Sequence, residues 1–153
     1  MKRRTFLKGS MTASALVVAT GAGLLKPTQV LAAAWPEAAF KAKKVDEVTQ
    51  ALFGGTDAAD SKDISIKAPL QAENGAVVPI KVSTSLPAEM IAIVAEKNPS
   101  PLTTSVDLSG AGGFYSARIK MGQTSNVYAY VKSGGKVYRA GQQIKVTVGG
   151  CGG

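Results

Sequence analysis

The chain reads as an all-β sandwich behind one amphipathic helix. Three observations predict this: apolar and polar residues alternate with a period of two from Ile64 onward, glycine- and proline-containing turns recur at short intervals, and a helical period is confined to the first stretch after the leader. The 153 residues, roughly 118 of them beyond the leader, have room for one domain with a modest core.

Residues 1–34 read as an export leader. Lys2-Arg3-Arg4-Thr5-Phe6-Leu7-Lys8 carries paired arginines followed by Phe-Leu-Lys, the pattern of a Tat signal peptide. A mildly apolar stretch follows from Met11 to Leu25, and Val30-Leu31-Ala32-Ala33-Ala34 offers small residues for cleavage. Fifteen residues rich in Ala, Gly, Ser and Thr fall short of the roughly 20 apolar residues that a membrane span needs. The expectation is a periplasmic protein that starts near Ala33 or Trp35 and has no membrane association after cleavage.

Removing the leader changes the charge. Lys2, Arg3, Arg4, Lys8 and Lys26 go with it, so the formal +8 falls to 13 basic against 10 acidic residues, net +3. That is too weak, with basic residues too spread from Lys41 to Lys145, for a nucleic-acid surface. With no histidine and one cysteine, the composition argues against a protein-only zinc, haem or copper site, and no cofactor is expected.

Each element then has its own signal. Residues 36–53 read as one helix: Pro36 suits the first position, Glu37 complements the positive end, and Phe40, Val45, Val48 and Leu52 fall near one face before Gly54-Gly55 stops it. Ile64, Ile66 and Ala68 form a half-buried strand, as do Val78, Ile80 and Val82. Asn74-Gly75 between them is the favoured pair for a tight hairpin. Pro79 has no N–H for a ladder, so its strand has an edge or a bulge there. Met90–Glu96 is apolar on both faces and suits a central strand, which Asn98-Pro99-Ser100-Pro101 ends.

Further strands are expected at Thr103–Leu108, Tyr115–Met121, Asn126–Lys132, Lys136–Arg139 and Gln143–Val148, with Ser133-Gly134-Gly135 as a hairpin turn. That makes about eight strands, the spacing of a sandwich. Tyr128 and Tyr130 leave one tyrosine face, either packed on the core or rim or offered to a partner. Ile144, Val146 and Val148 half-bury the last strand.

Beyond it stands Gly149-Gly150-Cys151-Gly152-Gly153, the place where the sequence puts chemistry. Four glycines cannot wall a pocket, so the expectation is a flexible arm, with Cys151 reaching roughly 10 Å past Val148 at about 3.3–3.6 Å per extended residue. The chain does nothing to activate the thiol. It has no histidine, its nearest cation in sequence is Lys145, and the carboxylate of Gly153 disfavours a thiolate. Cys151 therefore reads as a place of covalent attachment, with no catalytic residue elsewhere. Two other uses stay open: an interaction module joined by an intermolecular disulfide, and a thiol–disulfide enzyme, although no second, resolving cysteine is present.

A terminal Gly-Gly-Cys-Gly-Gly behind a β-rich domain and a Tat leader resembles the SoxY sulfur carrier subunits of the periplasmic Sox thiosulfate-oxidation system. The resemblance implies an immunoglobulin-like antiparallel β-sandwich that is not an enzyme. It also implies that Cys151 carries thiosulfate-derived sulfur on a swinging arm and that a SoxZ-like β-sandwich subunit forms a heterodimer with the chain. The enzymes it implies as visitors are a conjugating c-type cytochrome, a sulfate thiohydrolase and a sulfane dehydrogenase. Export of a folded chain without visible cofactor ligands fits co-export of a leaderless partner.

Overall fold

A computed structural model describes residues 35–147; the expected leader, residues 1–34, and the expected arm, Gly149–Gly153, with Val148, lie outside the described residues. Among the described residues two helices precede nine strands: α1 (Glu37–Lys41), α2 (Val45–Phe53), β1 (Ala59–Asp60), β2 (Ile64–Lys67), β3 (Gln71–Ala72), β4 (Val78–Thr84), β5 (Met90–Ala95), β6 (Leu102–Asp107), β7 (Phe114–Ile119), β8 (Ser125–Ser133) and β9 (Lys136–Val146). The larger sheet runs β1-β9-β8-β5-β6 with β3 also on β9, and the smaller runs β2-β4-β7.

The sandwich core lies between the sheets. Ile64, Val78, Ile80 and Val82 from one side meet Ile91, Ile93, Val127, Ala129, Val131 and Ile144 from the other. β5 is apolar on both faces, as expected of a central strand, because its alternate residues Ala92 and Val94 face a second core beneath the helices with Val48, Leu102 and Tyr130. The large sheet is thus covered on both sides. Among the described residues the small sheet is covered on one.

The expected single helix over 36–53 is two. Ala42 is extended (φ −56°, ψ 147°), as is Lys44 (φ −126°, ψ 151°). The Glu47 carboxylate accepts the Lys43 N–H at 2.9 Å and the Lys44 N–H at 3.3 Å, starting α2 afresh. Those hydrogen bonds, the Lys43 one foremost, hold the Glu47 carboxyl below its usual range. The gain is in packing. Phe40 and Val45 are five positions apart and would stand about 140° around a continuous helix, whereas the break lets both join the core under Val48.

The turns divide. Gly134 (φ 56°) and Gly135 (φ 73°) form the expected two-residue hairpin, with Ser133 paired to Lys136. Asn74-Gly75 is a turn but not a tight hairpin. Neither residue has positive φ, the Asn74 side chain accepts the Ala76 N–H at 2.9 Å, and the chain detours through β3 before β4 pairs with β2. The edge at Pro79 is real, because β2 pairing ends at Lys67–Lys81 and leaves one side of Pro79 without a ladder. The tyrosine face packs rather than projects: Tyr130 is buried, 6.2 Å from the Phe53 ring, and burial pushes its hydroxyl above the usual phenol range. Tyr128 covers Gly141, where an added Cβ would stand 2.8 Å from the ring.

Candidate functional site

Cys151, Gly149, Gly150, Gly152 and Gly153 lie outside the described residues, so what the structure supplies is their root, the end of β9. That strand is one 11-residue element, Lys136–Val146, where the sequence suggested two shorter ones. Gly141 at its middle keeps it continuous by leaving room for the Tyr128 ring. On one side β9 pairs along its length with β8, from Ser125–Ile144 to Ser133–Lys136.

On the other side β9 carries two short parallel strands, an addition to the antiparallel plan. β1 meets Tyr138 and Arg139, and β3 meets Lys145 and Val146. β3 and its neighbours fasten the root. The Lys145 N–H donates to Leu70 O at 2.9 Å, and the Thr147 N–H to Ala72 O at 3.0 Å. On the same side the Thr147 hydroxyl donates to Ala72 O at 3.2 Å, while from the opposite side the Val146 N–H donates to Thr124 Oγ1 at 3.0 Å. The point of departure is therefore held from two sides as far as Thr147. Cys151 is the fourth residue after Thr147, a fully extended reach of about 13–14 Å.

The root is also tightly packed. A Cβ on Gly75 would stand 2.4 Å from Met121 O and 2.9 Å from Val146 Cγ1, and the Met121 N–H donates to Gly75 O at 2.7 Å. Sequence reading missed Leu70, Ala72 and Thr124, and gave Gly75 a place in a turn but not against β9. Two-residue strands have no period to detect, and nothing local marks a hydroxyl or a glycine that serves a distant strand.

Around the root the surface is shallow. A groove of about 440 Å³ is lined by Leu70, Gln71, Gln142, Gln143 and Lys145, and a broader one of about 560 Å³ lies toward the far end of β9, beside Phe53, Lys136 and Tyr138. Among the described residues no group of three His, Cys, Asp or Glu side chains stands together to hold a metal ion. No constellation of acid, base and nucleophile appears in either groove.

The described residues thus form a sandwich whose last strand, fastened from two sides, leads toward the one cysteine of the sequence. Residues 49–151 match the family model of the sulfur oxidation protein SoxY, and the chain belongs to that family. Among solved structures, that of the sulfur carrier protein SoxY from Chlorobium limicola f thiosulfatophilum is 43% identical, covering 69% of this chain and 97% of that one with a TM-score of 0.62. No curated protein matches the chain. The immunoglobulin-like sandwich and the non-catalytic role in sulfur oxidation follow from this membership.

Proposed function

We propose that the protein carries thiosulfate-derived sulfur covalently on Cys151 and presents it in turn to the enzymes of thiosulfate oxidation. The observation that carries this reading is the family match, which runs to Cys151 itself, the one cysteine of the chain. Joining thiosulfate to the thiol forms an S–S bond, releases the thiol proton and sends two electrons to an acceptor, a c-type cytochrome. Hydrolysis then releases sulfate and leaves a persulfide on Cys151; a sulfane dehydrogenase oxidises its outer sulfur to a sulfonate with oxygen from three waters, passing six electrons to a cytochrome acceptor, and a second hydrolysis releases sulfate and restores the thiol. None of these steps needs a base from the carrier, in keeping with a chain that has no histidine. Intact mass of the protein from its native periplasm tests the reading. Sulfur adducts that disappear on reduction are expected, and a disulfide-linked dimer as the dominant species would refute it.

Three further parts belong to this proposal. The glycines give access: Gly150→Val with Gly152→Val should leave labelling by a small thiol reagent unchanged while thiosulfate turnover in the reconstituted system falls about tenfold or more, because β-branched side chains thicken and stiffen the thread. Equal turnover would mean that Cys151 is processed without entering a narrow channel.

The leader directs Tat export to the periplasm. Replacing Arg3 and Arg4 by lysine should stop export, and amino-terminal sequencing of the exported protein should find a start between Ala33 and Trp35. An intact Met1 start there would overturn this.

The third part is a SoxZ-like β-sandwich subunit as a standing partner. Size-exclusion chromatography with mass spectrometry on native protein should find the two together, and a lone monomer at micromolar concentration would count against the pair.

A further inference from the structure

The two outer faces of the sandwich differ. The helices cover the outer face of the large sheet, while among the described residues no element covers that of β2-β4-β7. Strand alternation fixes what this uncovered face shows. Ser65 and Lys67 come from β2, Pro79, Lys81 and Ser83 from β4, and Phe114, Ser116 and Arg118 from β7, while their alternates Ile64, Ile80, Val82 and Ile119 are buried.

Register then makes the face basic. Lys67 is directly opposite Lys81, and Arg118 pairs with Pro79, two positions along β4 from Lys81 on the same face. All three cations are exposed, and none takes part in an ion pair among the described residues, where the pairs are Lys41–Glu37, Lys132–Glu89 and Arg139–Asp60. Asp63, past the end of β2, is engaged by the Ser61 and Ser85 hydroxyls. Like charges directly opposite on a sheet face cost stability, so this arrangement works against the isolated domain. Beside it Phe114 is 60% exposed, an apolar anchor within the charged field. In the sequence these cations look scattered. The fold gathers them.

The face also borders the root of the C-terminal segment. β4 and β7 end at the Val78–Ile119 pair, and Met121 and Gly75 just beyond it pack against Val146. Arg118 is three residues from Met121, about 10 Å of strand. The Arg118 end of the face therefore lies about as far from the root as the 13–14 Å or so that Cys151 can span from Thr147.

We propose that the outer face of β2-β4-β7 docks an acidic protein surface through Lys67, Lys81, Arg118 and Phe114, holding an enzyme that processes the cargo beside the root of the arm. The identity of the occupant as a cargo enzyme rests on the carrier reading above; the basic face and its acidic complement do not.

The test separates the two by using the mature chain with Cys151→Ser, which holds no cargo. It is titrated calorimetrically against the purified conjugating cytochrome, sulfate-releasing hydrolase and sulfane-oxidising protein of its host, one at a time. At least one should bind, should weaken as salt rises from about 50 to about 200 mM, and should lose about tenfold or more in affinity to K67E/K81E/R118E. The charge-matched K43E/K44E/K136E, on the helix side and the β8–β9 hairpin, should bind like the parent. Lys67→Glu alone should raise Tm by about 1–4 °C, through the cross-strand pair it makes with Lys81, while weakening binding.

The proposal is overturned if no protein binds, if the triple variant binds like the parent, or if the control loses as much. It is also overturned if only phosphatidylglycerol vesicles distinguish the variants, since the face would then be a lipid site. A failed carrier reading would show itself elsewhere, as a wild-type chain that binds but acquires no sulfur adduct.

Discussion

Cys151→Ser should reduce thiosulfate turnover of the reconstituted system to background, a loss of at least about a thousandfold, since a hydroxyl cannot form the S–S bond that holds the cargo. The same substitution should leave folding untouched. Among the described residues the sheets, both cores and the hydrogen bonds at the root are made by residues up to Thr147, and substitutions away from such features usually stay within about 0.5 kcal/mol. Thermal unfolding and turnover measured on one preparation check both halves. A variant that keeps turnover would move the attachment site off Cys151, and one that unfolds early would mean that the thiol has a structural role.

What the sequence made legible was whatever depends on local period. The alternation in β2, β4 and β8 and the doubly apolar β5 were readable because each residue's face follows from its neighbours. The positive φ of Gly134 and Gly135 was implied by the hairpin they close. The helix break was less visible, since it depends on Glu47 turning back to Lys43 and Lys44 and on Phe40 and Val45 sharing one core.

The root of the arm was the least visible part. Gln71–Ala72 is too short to show a pattern, and its partner β9 lies more than 70 residues away. The cations of the small sheet were individually plain, but Lys67 and Lys81 became a pair only through register. The cysteine could be found by reading the chain, whereas the hold on its base is a product of long-range contacts.

That hold supplies the second large effect. Gly75→Val should destabilise the domain by about 1–3 kcal/mol, the usual range for overpacking. Its Cβ would stand 2.4 Å from Met121 O, a backbone atom that cannot swing aside, and 2.9 Å from Val146 Cγ1. Relief requires the 74–77 turn to move away from β9, and because that turn follows β3 directly, the Thr147–Ala72 and Lys145–Leu70 hydrogen bonds should loosen with it.

Gly122→Val is the matched control. It stands one residue from Met121, has no atom within 4 Å of an added Cβ and no positive φ, and should change stability by no more than about 0.5 kcal/mol. Denaturant unfolding gives the two stabilities. Hydrogen exchange at the Lys145 and Thr147 amides should rise in the Gly75 variant well below its unfolding midpoint. If those amides stay protected while global stability falls, the steric cost is absorbed in the turn, and the root of the arm is fastened by β8 and Thr124 rather than by β3.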